Sequence, residues 1–79
     1  MAELKFEIVD HLEVLSEGAK GWTKEVNIVR WNERKPKVDI REWDETHEKM
    51  GKGVTLNKEE LQKLKELLAN LDVDAMDIS

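Results

Sequence analysis

The 79-residue chain is expected to fold as an α+β domain of four β-strands followed by one C-terminal α-helix (ββββα). Three observations lead there. Apolar and polar residues alternate through much of the first 56 positions, the period of strands that bury one face. Clusters of turn residues at Ser16–Gly21 and Asn32–Lys37 cut that stretch into pieces. From Asn57 onward the apolar period becomes three and four, behind an Asn-x-x-Glu helix start.

Leu4, Phe6, Ile8, Leu12 and Val14 share one parity, with Glu7, His11 and Glu13 between them. They define a long first strand with one face on the core. Asp10 interrupts that face while Val9 and Leu15 stand on the other, so a bulge or twist is expected near Asp10. His11 reads as a solvated, outward residue. Gly18 and Gly21 give the first turn access to left-handed backbone.

The second strand, Trp22 to Trp31, carries apolar groups on both parities. It is either covered on both sides or meets a ligand on one. Its Trp residues, like Trp43, have two readings: core or dimer packing, and stacking on nucleic-acid bases. Asn32–Lys37 is the second turn, where Pro36 biases Lys35 toward extended backbone and Arg34, Lys35 and Lys37 form a cationic tip.

The chain is organised around Lys37–Leu56. Val38 and Ile40 alternate with Asp39 and Arg41, giving an apolar face and a charged one, and Trp43 shares the parity of Arg41. Gly51-Lys52-Gly53 reads as a corner in which the glycines permit positive φ or a close approach while presenting one ammonium group. The helix is expected over Lys58–Leu71, with Leu61, Leu64, Leu67, Leu68 and Leu71 in one stripe that covers the sheet's apolar face. Residues 72–79 form an acidic tail expected to fray.

Composition narrows the function. One small domain, residues 1–79, buries only about 60% of its unfolded surface, and with no cysteine it has neither disulfides nor thiolate zinc sites. Self-association, as a symmetric homodimer, is the expected remedy. No apolar run reaches the length of a membrane span, the acidic N-terminus is unlike a signal peptide, and the cytoplasm, nucleoid included, is the expected compartment. Asp44, Glu45, His47 and Glu48 invite a metal reading, but the stretch lacks the turn glycine of a calcium loop, so no metal is expected. No nucleophile-base pattern or phosphate-binding glycine loop occurs, so neither catalysis nor a cofactor is expected.

The net charge of −5 conceals a division. Residues 1–19 carry −4, 20–41 carry +4, 42–56 carry −2 and 57–79 carry −3. Phosphate binding responds to the local basic segment more than to the total.

Three ordered blocks, V-D-I-R-E-W, G-K-G-V-T-L and N-K-E-E-L-Q-K-L-K-E-L-L, resemble the single-stranded-DNA-binding domain of the transcriptional coactivator positive cofactor four. The layout, over roughly residues 5 to 71, looks most like the small bacterial YdbC-like branch of that family. The resemblance implies a curved antiparallel sheet, a dimer, and channels for unpaired DNA lined by basic and aromatic residues. By position it places Arg41 and Lys52 on the family's basic sites; the family's next aromatic is Asp44 here, which moves stacking to Trp43 or Trp31. The full set of nucleic-acid-binding candidates is Lys20, Trp22, Lys24, Arg30, Trp31, Arg34, Lys35, Lys37, Arg41, Trp43, Lys49 and Lys52. The implied partners are single-stranded DNA or RNA, a second copy of the chain, and the transcription machinery. The competing reading is a protein-interaction module that uses the same Trp and Lys surface.

Overall fold

Alternation, turns and cap produce the expected element order in the computed structural model, which describes residues 5–79. Leu4, the first member of the apolar series, lies outside the described residues. Strands β1 (Phe6–Glu17), β2 (Thr23–Trp31), β3 (Lys37–Trp43) and β4 (Met50–Leu56) form one antiparallel sheet in that order, and helix α1 (Lys58–Ala69) follows after a single residue. The β2–β3 connection turns on Asn32 and Glu33, both at positive φ (50° and 64°), with the Arg34 amide donating to the Trp31 carbonyl at 2.9 Å. Two left-handed residues match the twist of the flanking strands.

β1 is bulged three times, with register jumps between Ile8 and Asp10, His11 and Glu13, and Val14 and Ser16. The bulge beside Asp10 is the expected one. The other two re-phase the strand, so Leu12 and Val14 keep 47% and 49% of their surface exposed instead of joining the core. Each extra residue also increases local twist. Phe6 pairs with Trp31 at one end of the sheet and Trp43 with Thr23 at the other, about 26 Å apart along a flat strand. Yet the Phe6 and Trp43 rings meet at 5.2 Å between centroids, and Phe6 and Trp31 at 6.0 Å. The sheet is therefore coiled until its diagonal corners touch.

That coiling decides where the core lies, and it corrects the expectation from alternation. Val26, Ile28, Val38 and Ile40, the apolar face of β2 and β3, remain only half-buried. The fully buried residues are on the opposite, concave face: Val29 and Trp43, with the polar Glu25, Asn27 and Asp39. Alternation assigns faces to the sheet but is silent on which face curls inward. The close packing there has a cost: Nε1 of both Trp31 and Trp43 is covered and finds no acceptor among the described residues.

Asn57 caps α1 as expected. Its side chain accepts from the Glu60 amide and the Glu60 carboxylate accepts from the Asn57 amide, both at 2.9 Å. The helix ends at Ala69, two residues before the expected Leu71, and a 3₁₀ turn at Val73–Ala75 follows in the acidic tail. The leucine stripe does not cover the sheet. No residue of α1 is buried, and Leu67 and Leu68 are each 54% exposed. Near the start of the helix, Leu61 and Leu56 border a groove with Ile28 and Val38.

Trp43→Ala should cost about 3–5 kcal/mol in urea denaturation, since the ring fills the concave core. Asn57→Ala should cost about 1 kcal/mol, from loss of the cap alone.

Candidate nucleic-acid interface

Arg41 is the centre of the concave face. It pairs in register with Gly53, and its side chain spreads over that glycine: a Cβ built on Gly53 would meet the Arg41 side chain, and the Ile40 carbonyl at 2.5 Å. This is the reason for glycine at 53. The Gly-Lys-Gly corner expected from sequence is instead strand, inside β4, and of the glycines only Gly21 has positive φ. Of the two properties anticipated for Gly51-Lys52-Gly53, close approach is the one used.

The guanidinium is bound on every side. Nε and Nη2 donate to the two carboxylate oxygens of buried Asp39 at 2.6 and 2.8 Å, and Nη1 reaches the Gly51 carbonyl at 3.4 Å. Its Cζ lies 4.7 Å from the centre of the Trp31 ring. The Arg41 side chain keeps 14% of its surface, and its charge is offset by Asp39. It packs against the half-buried Trp31 ring in a cation–π contact.

The other candidates divide by location. Trp43 has no exposed surface, so its ring is core and has no face for a base. Of the two stacking alternatives for the aromatic beyond Arg41, the accessible one is Trp31. Lys37 has the concave-face parity and stands opposite Val29; Arg34 and Lys35 occupy the exposed hairpin that begins at Trp31. Lys24 and Arg30 alternate onto the convex face, where Arg30 binds Glu7 at 2.7 Å. Lys52, between Gly51 and Gly53, also points away from Arg41 and is exposed. Lys20 sits in the 3₁₀ turn before β2, half-buried Trp22 directly precedes that strand, and Lys49 closes the loop before β4. Trp31, Arg41 and the Arg34–Lys37 hairpin are thus brought together, while Lys24, Arg30 and Lys52 face elsewhere.

Sequence reasoning missed a polar network at the other end of the concave face. Glu25, 3% exposed, accepts from Thr23, from Asn27 at 3.0 Å and from Nε2 of His47 at 2.9 Å. Burial acts to raise the Glu25 carboxyl, but these hydrogen bonds and the nearby His47 bring it below the ordinary glutamate value. Nδ1 of His11, assigned outward by parity, lies 2.9 Å from Oδ1 of Asn27. Asp44 organises the loop that delivers His47, accepting from the Glu48 and Lys49 amides at 3.0 and 3.1 Å and from the His47 amide through its carbonyl. The only local signal was that polar Glu25 and Asn27 share the parity of Val29 and Trp31 in β2.

A coiled ββββα sheet with a clamped tryptophan at one end belongs to a class of small sheet modules rather than to any helix-based nucleic-acid reader. The family described as Transcriptional Coactivator p15 (PC4) matches residues 19–67, from the turn before β2 into the last turns of α1. A protein of Treponema pallidum (strain Nichols), named as an uncharacterized protein, is 38% identical over 72 residues, covering 91% of this chain and 85% of that relative. The chain belongs to the PC4 family.

The two glycines flanking Lys52 separate packing from chain flexibility. Gly53→Ala should destabilise the fold by about 1–3 kcal/mol, because the Arg41 side chain and Ile40 backbone must shift. Gly51→Ala, whose Cβ would meet Glu42 Cβ at an ordinary 3.6 Å, should change the thermal midpoint little.

Proposed function

We propose that this protein is a non-catalytic binder of single-stranded DNA, of low sequence specificity, acting as a homodimer in transcription or on melted DNA. The observation that carries the reading is the Trp31 ring, half-buried, backed by Arg41 at 4.7 Å and set at the root of the Arg34–Lys37 hairpin. A ring packed beside cations suits an unpaired base and its phosphate, and stacking on it contributes about 1–3 kcal/mol per base whatever the sequence. Membership of the PC4 family supports the same partner. A duplex hides its base faces, and no helix here is presented to a groove.

The dimer rests on a separate observation. Apolar surface is left open on the convex face, at Val26, Ile28, Val38, Ile40 and 49%-exposed Val54, and on α1 at Leu61, Leu67 and Leu68. Among the described residues only Val29 and Trp43 are fully buried apolar residues. A second copy placing its own sheet and helix on this surface would complete the core that one chain lacks.

Three measurements test the proposal. Oligo(dT) should quench Trp fluorescence saturably and bind more tightly than a matched duplex; equal affinities would reject the reading, and no saturable quenching would favour a protein partner. In salt titrations, Lys37→Ala should lower the slope by about 0.7 for each phosphate left without its cation, whereas Trp31→Ala should cost about 1–3 kcal/mol and keep the slope. Sedimentation at micromolar concentration should give about twice the 9.2 kDa chain mass; a folded species at the single-chain mass would reject the dimer.

A further inference from the structure

We propose that His11, Glu25 and His47 form a binding site for one divalent transition-metal ion per chain, with zinc the favoured ion. The three residues come from β1, β2 and the loop after β3, and their ligand atoms all lie within 4.8 Å of one another. Oε1 of Glu25 lies 3.0 Å from Nε2 of His47 and 3.6 Å from Nδ1 of His11. Tetrahedral zinc with bonds near 2.1 Å holds its donors about 3.4 Å apart. Two of the three separations already bracket that value. The third closes if His11, whose side chain is 62% exposed, turns its Nδ1 from Oδ1 of Asn27 toward the ion.

Charge makes the stronger argument. The concave face buries two carboxylates, and they are treated differently. Asp39 has the Arg41 guanidinium on both oxygens. Glu25 stands opposite Arg41 in the register but forms no ion pair with Lys or Arg among the described residues; its close contacts are neutral Thr23 and Asn27 and two imidazoles. A carboxylate with 4% of its side chain exposed is thus met at close range by hydrogen bonds and imidazoles, with no guanidinium or ammonium bound to it. A divalent ion between it and the imidazoles supplies a bound cation.

The surroundings fit a metal. Thr23 and Asn27 fix the carboxylate from behind, as outer hydrogen bonds orient metal ligands generally. The Asp44-bridged loop holds the backbone of His47, and its ring lies 5.8 Å from Trp43. A cleft of about 340 Å³ opens between these side chains, leaving room for water on the ion. Two nitrogens and one carboxylate oxygen form a borderline donor set that suits zinc and disfavours calcium and magnesium. The cluster weighed from sequence, Asp44 with Glu45, His47 and Glu48, is not this site, since Asp44 has its oxygens engaged by its own loop. Such an ion would tie the bulged edge strand β1 and the Asp44–Lys49 loop to β2.

The test uses the full chain, stripped with a chelator and titrated with Zn²⁺ alone. One ion per chain should bind saturably and raise the melting temperature, and Co²⁺ in its place should develop visible absorption. His11→Gln changes an exposed side chain and should fold normally, yet weaken Zn²⁺ binding more than about tenfold; His47→Gln should do the same, and Glu48→Gln should bind like the parent. The proposal is overturned if Zn²⁺ neither binds saturably nor moves the melting temperature. It is equally overturned if both histidine variants bind like the parent, or if Glu48→Gln is the variant that loses the ion. None of these readouts involves DNA.

Discussion

The contact on which the structure depends is that of Phe6 with Trp43. It joins residues that a flat sheet would hold at opposite corners, and it exists because the strands coil. The bulges of β1 supply extra twist along the edge strand, and the aromatic rings supply the apolar area that rewards closure. Once the corners meet, the middle of the concave face is buried. Val29 and Trp43 lose all exposure, and Glu25, Asn27 and Asp39 are sealed in with them.

A buried face carrying two carboxylates creates an electrostatic problem with two local solutions. Asp39 is matched by Arg41, and the match fixes Arg41 so firmly that Gly53 is required beneath it and Trp31 rests against it. Glu25 is matched by hydrogen bonds and two histidines. The first solution yields a rigid aromatic platform at one end of the cleft. The second yields a nitrogen- and oxygen-lined pocket at the other. Both follow from the same burial, because a carboxylate removed from water must find donors or a cation nearby.

The convex face presents the opposite case. Its aliphatic residues are regular and only half-covered, and α1, none of whose residues is buried, borders them near Leu61. Asn57 alone links β4 to α1 and also caps the helix. Leu67 and Leu68 of that helix stay 54% exposed on the single chain.

Local structure was largely legible in the residues. Strand alternation, the Asn32–Glu33 turn region, the Asn57 cap and the bulge at Asp10 are short-range matters, governed by backbone conformation and neighbours in sequence. The Asp39–Arg41–Trp43 parity likewise told which side chains share a face. Only the tertiary structure decided that this polar face curls inward, that Trp43 is core while Trp31 stays accessible, and that His11 meets His47 across the sheet. The direction of coiling depends on the summed twist of four strands and on contacts between residues dozens of positions apart. No pattern within a single strand encodes that sum.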